Sequence, residues 1–133
     1  MSAPAPPEIT IVEEPGFRFA QGPPGRDLMR TVDDANLLLE ACFSSGTTAA
    51  ILDAQNLTGR FFDLSSGEAG AILQKLRNYR IRLAVVCTPG SVCFSTRFPE
   101  MAAEEARGGL FGVFPSHSAA REWLRSHCLD VPA

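Results

Sequence analysis

The sequence predicts a single α/β domain: a mixed, mostly parallel sheet of about five strands, with an N-terminal hairpin and about four helices. Three observations carry this expectation. Short apolar runs at 48–52, 81–87 and 110–114 have the length of buried strands, not of helices. Stretches with a helical repeat of apolar residues separate them. Ahead of the first helix, two alternating segments meet at Pro15-Gly16. Strands that alternate with helices pair in parallel through right-handed crossovers, and the leading hairpin makes the sheet mixed.

Each element has its own signal. Residues 8–13 alternate, with Ile9 and Ile11 on one face, and Phe17-Arg18-Phe19 alternates again beyond the turn. In 31–45, Ala35, Leu38, Leu39, Cys42 and Phe43 recur at helical spacing, Asp33 and Asp34 suit the positive end of the dipole, and Gly46 is a stop. Residues 53–60 read as a loop. The second helix opens at Ser65-Ser66-Gly67-Glu68, which has capping-box spacing with Ser65 as cap. Its core stripe is Ala69, Ile72, Leu73 and Leu76, and it ends near Asn78 or Tyr79. A third helix starts near Pro99 and stops at Gly108-Gly109. Ser116 caps the last helix, which turns Ala120, Trp123 and Leu124 inward. The domain is expected over 8–128, with tails at 1–7 and 129–133.

Composition narrows the function classes. Apolar residues are 45% and charged residues 20% of 133, which is enough apolar material for one core. A net charge of −3 speaks against a nucleic-acid binder, which needs a basic face. No apolar run approaches the roughly eighteen residues of a membrane span, so no membrane is expected as a partner. The Ala/Pro-rich start lacks the pattern of a secretory signal, and the expected location is the cytoplasm. Cys42, Cys87, Cys93 and Cys128 form no C-x-x-C pair and read as free thiols. No metal site, cofactor motif or catalytic constellation follows from spacing: there is no P-loop, no G-x-G-x-x-G and no G-x-S-x-G. His117 and His127 lie too far apart along one helix to share a metal.

The candidate binding or switch residues cluster on the second helix. Phosphate on Ser65 or Ser66 would meet free N–H groups at a helix start. Gly67 and Gly70 are costly so early in a helix and need compensation, either close packing on the sheet or close approach of a ligand or partner. Asp53, Asp63, Glu68 and Glu104 are expected near the carboxyl ends of parallel strands, where open α/β sheets bind ligands. Gln74 and Asn78, four apart, share a face beside the only tyrosine, Tyr79.

The stretch Ile51-Leu52-Asp53 through Asp63-Leu64-Ser65-Ser66-Gly67 resembles STAS domains of the anti-sigma-factor-antagonist type. That pattern is a strand ending in Leu-Asp, then Asp-Ser-Ser-Gly opening a helix; here Leu64 stands between the Asp and the Ser-Ser-Gly. The resemblance implies Ser66 as a phosphorylated serine. A closer similarity is to a bacterial family known as domain of unknown function 4180. It is carried by Phe61-Phe62-Asp63-Leu64, Gly67, Ala69-Gly70, Gln74-Lys75, Asn78-Tyr79, Leu83-Ala84-Val85, Glu104, Arg107-Gly108 and Ala120…Trp123-Leu124. Two functions follow as expectations. One is a non-enzymatic, STAS-like protein-interaction module in bacterial cytoplasmic regulation, offering Asp63–Gly70, Gln74 and Asn78 to an unidentified protein partner or to a second copy as a homodimer. The other is a small-molecule or anion-binding domain that uses backbone N–H groups of Ser66–Glu68 and has a pocket there.

Overall fold

The computed structural model describes residues 9–22, 28, 32–57, 59–63, 67–88 and 97–128, without the side chains of 59, 60, 127 and 128. The two tails, Ser65, Ser66 and Cys93 lie outside the described residues.

Strands β1 (Thr10–Glu14) and β2 (Phe17–Gln21) form the expected antiparallel hairpin. Helix α1 (Ala35–Ser45) follows a 3-10 turn at Val32–Asp34. Gly46 ends it in the left-handed conformation at φ 73, donating its N–H to Cys42 O and Phe43 O. Next comes β3 (Ala49–Asp53). The segment expected to be loop holds a 3-10 turn at Ala54–Asn56 and a single helical turn, α2 (Gly59–Phe62). That turn drives Phe61 and Phe62 fully inside, which an open loop would not do. The remaining elements are α3 (Glu68–Asn78), β4 (Arg82–Val86), α4 (Phe98–Arg107), β5 (Phe111–Phe114) and α5 (His117–Cys128). Ser116 caps α5 as expected, its Oγ accepting from Ala119 N–H at 3.2 Å.

The sheet order is β1-β2-β3-β4-β5, and every pair beyond the hairpin is parallel. Alternate residues of each strand point to opposite faces. Ala50, Leu52, Leu83 and Val85 join Leu38 of α1, Ile72 of α3 and Phe98 of α4 in the larger core. Ala49, Ile51, Ala84 and Val86 meet Ala120 and Leu124 of α5. The three crossover helices therefore form one layer, and α5 alone covers the opposite face. Phe61, Phe62, Phe98 and Phe111 fill the larger core with ring centroids 5.2–6.3 Å apart. Gly112 leaves room for a neighbour on its own strand: a Cβ there would stand 2.7 Å from the Phe114 ring.

A sheet whose order follows the sequence has no reversal of winding, and so lacks the switch-point crevice that holds ligands in doubly wound folds. Among the described residues, no three of the His, Cys, Asp and Glu side chains gather so as to hold a metal. Asp53, Asp63, Glu68 and Glu104 accordingly form no metal-holding group among the described residues. Phe43 also departs from expectation. Ala35, Leu38, Leu39 and Cys42 complete the inward arc of α1, and Phe43 stands outside it, 57% exposed. No helix of the described residues is long and apolar enough to cross a membrane.

Candidate functional site

Among the described residues, the start of α3 is set by the backbone of Gly67. Gly67 is the N-cap, left-handed at φ 78 and with no side-chain cap bond, and Glu68 is the first helical residue. Gly67 O accepts the first helical bond, from Ala71 N–H at 3.0 Å. The expected cap at Ser65 is therefore displaced by two positions. A left-handed residue must stand where the chain swings into the helix, and only glycine does so without strain. Glu68 is 8% exposed and makes an interaction of its own, so it faces inward. Asp63 is exposed and also engaged.

Ala69, Ile72, Leu73 and Leu76 bury the inner face of α3 as the periodicity requires. Opposite them, Gly67, Ala71, Gln74 and Asn78 form an exposed ridge. Gln74 Nε2 donates to Asn78 Oδ1 at 2.9 Å, so the amide pair is real. Arg77 ties this ridge to α4: its Nη2 donates to Gln74 Oε1 at 2.9 Å, and its Nη1 donates to the Glu105 carboxylate at 2.7 and 2.8 Å. On the other flank Tyr79 meets Phe43 of α1 edge-on, with centroids 5.4 Å apart. These two rings are 52% and 57% exposed, and they are the only exposed large hydrophobics among the described residues. Gly70 is exposed, and a Cβ there would meet nothing within 4 Å. The close packing on the sheet offered as one reason for Gly67 and Gly70 is absent at both. Glycine inside a helix still costs about 1 kcal/mol relative to alanine.

The outer surface of the three-helix layer thus gathers Gly67, Gly70, Gln74, Asn78 and Tyr79 with Phe43, Arg77 and Glu105, three residues whose place there no local pattern signals. Glu104 is exposed on α4, but its neighbour Glu105 makes the link to α3.

A second polar group lies on the α5 face. His117 Nε2 is 2.8 Å from Asp53 Oδ1, joining the start of α5 to the end of β3. Asp53 N–H donates to Asn56 Oδ1 at 2.7 Å, and Asn56 is fully buried. A Cβ on Gly22 would stand 2.5 Å from that same Oδ1. Sixty-four residues separate Asp53 from His117, so no local spacing signals the pair. Cys87 packs in the larger core across the sheet, away from this pair. Burial pushes the Cys42 and Cys87 thiols up to about 11, which keeps both protonated at neutral pH. Both are free and buried.

A cleft of about 450 Å³ lies between the hairpin turn and the start of β3, lined by Glu13, Glu14, Phe17, Arg18, Thr47 and Thr48. It stands at the amino edge of the parallel strands. The start of α3, where an anion pocket was expected, stands at the carboxyl edge.

No curated protein and no solved structure matches the chain. Residues 16–124 match a family profile that takes in every described element after β1 apart from the end of α5. The chain belongs to the family described as domain of unknown function (DUF4180).

Proposed function

We propose that the chain is a non-enzymatic protein-interaction module whose contact surface is the outer face of the three-helix layer, centred on α3. One observation carries this reading: the Phe43–Tyr79 ring pair, left half-exposed beside the Gln74–Asn78 amides. Exposed aromatics next to hydrogen-bonding amides are the composition of contact surfaces, whereas solvated helix faces are dominated by charge. Gly70 supports it, because its cost to the helix is offset by no close packing among the described residues.

The finer proposal is a STAS-like regulatory role in the bacterial cytoplasm, switched by phosphorylation of Ser66. Phosphate there would add nearly two negative charges three residues after Asp63 in the sequence and one before Gly67. The test is affinity capture from host lysate with the wild-type chain, Gln74→Arg and Ser66→Glu, read by mass spectrometry. The proposal expects a partner held by the wild type and lost with Gln74→Arg. Loss with Ser66→Glu as well supports the switch. A partner held equally by wild type and Gln74→Arg would sink the surface, and one held equally by Ser66→Glu would sink the switch.

A further inference from the structure

We infer that the partner this surface takes is a second copy of the chain, docked by an antiparallel, two-fold packing of α3 on α3. The inference rests on the reading of the α3 face as a contact surface and supplies its occupant. It is carried by charge. The three helices of the layer run side by side in the same direction, because each returns the chain from the carboxyl edge of one strand to the amino edge of the next. Acidic residues sit at their starts: Asp33 and Asp34 ahead of α1, exposed Asp63 ahead of α3, and Glu100 in the first turn of α4. Basic residues sit at the ends of two of them: Lys75 and Arg77 in the last turn of α3, exposed Arg80 just after it, and Arg107 in the last turn of α4; against this run Arg97 at the start of α4 and Glu104 and Glu105 near its end, Glu105 paired with Arg77.

Apart from those three, each placement suits its own helix dipole. Taken together, the described residues give the layer a net acidic end and a net basic end, with Arg97 opposing the first and Glu104 and Glu105 the second. A copy of the same face turned end for end lays acid over base at both ends, and the summed helix dipoles also oppose. A face divided in this way is complementary to itself, which a two-fold interface requires.

Shape follows the same rule. The exposed ridge of α3 reads Gly67, Ala71, Gln74, Asn78 from start to end, small residues first and amides last. A two-fold axis between Ala71 and Gln74 sets the amides of each copy over the small residues of the other. The two Gln74 side chains then flank the axis. The Phe43–Tyr79 rings at the basic end of one layer meet the acidic, glycine-bearing end of the other. A standard interface takes about 800 Å² from each partner, roughly a tenth of the 7525 Å² surface of this chain.

The experiment is sedimentation equilibrium of the full chain, with circular dichroism confirming that each variant is folded. The wild type is expected at twice the chain mass. Gln74→Arg and Gln74→Glu each place like charges at the axis, and each is expected to weaken association by at least about tenfold. An equimolar mixture of the two variants pairs opposite charges there and is expected to recover the dimer. Phe43→Ser, an exposed position on another helix, is expected to weaken association without unfolding. A wild type that stays monomeric overturns the inference, and so does dimerisation of both Gln74 variants at wild-type strength. Weakened variants whose mixture does not recover overturn the α3-on-α3 two-fold. The outcomes also separate this inference from the one beneath it. A monomeric wild type that still loses a captured lysate protein on Gln74→Arg leaves the contact surface standing and removes only the second copy.

Discussion

Two pairs of glycines mark two kinds of region in this molecule. At Gly22 and Gly112 the fold presses against the backbone: a Cβ would stand 2.5 Å from Asn56 Oδ1 at the first and 2.7 Å from the Phe114 ring at the second. At Gly67 and Gly70 a Cβ would meet nothing within 4 Å. The first pair is explained by packing within the chain. Gly67 is explained by its left-handed backbone alone. Gly70 is explained by neither, which makes the outer face of α3 the place where sequence and fold come apart. Such local inconsistencies concentrate at functional sites.

Substitutions at these positions sharpen the comparison. The largest effect is expected at Gly22→Ala. The new Cβ collides with a fully buried amide oxygen that holds Asp53 N–H, so either the backbone moves or that bond is lost. A loss of about 3 kcal/mol in urea unfolding is expected. Gly112→Ala is expected to cost about 2 kcal/mol, less because the Phe114 and Trp123 rings it meets are half-buried and can turn. Gly67→Ala is expected to cost about 1 kcal/mol through left-handed strain at an open site. Gly70→Ala is expected to gain about 1 kcal/mol. A cost at Gly70 equal to that at Gly22 would break the comparison.

The buried region also has a pH signature, the smallest of these effects, at strongly alkaline pH. Folding raises the Cys42 and Cys87 thiols from 9.0 to about 11 by burial. The folded chain therefore keeps protons that the unfolded chain releases. That contribution is full below pH 9.0 and is lost as pH rises towards about 11. Urea midpoints should fall across that window in the wild type. They should fall less steeply in a Cys42→Ala, Cys87→Ala double variant.

The sequence made the fold readable where local pattern decides it. The inward stripes of α1 and α3 follow from helical spacing, and the three parallel strands follow from short apolar runs. It misled where two local signals competed. Ser65 and Glu68 match a capping box, but the chain turns into α3 through the positive φ of Gly67. Phe43 continues a helical repeat, yet the inward arc is already filled by four residues before it. The Asp53–His117 pair was beyond local reading, because the order of the strands brings its ends together. The amide face of α3 was legible in Gln74 and Asn78 with Tyr79 beside them; Phe43 was not, since the meeting of α1 with α3 depends on packing.

The central claim is that α3 carries a surface for a second copy of the chain that the fold itself does not need. Gly70→Gln tests it most directly, because glutamine favours the helix and the position is open. Thermal unfolding and sedimentation equilibrium would be run on the same sample. The account predicts a Tm at or above that of the wild type, together with a loss of association. A rise in Tm with association unchanged would contradict it.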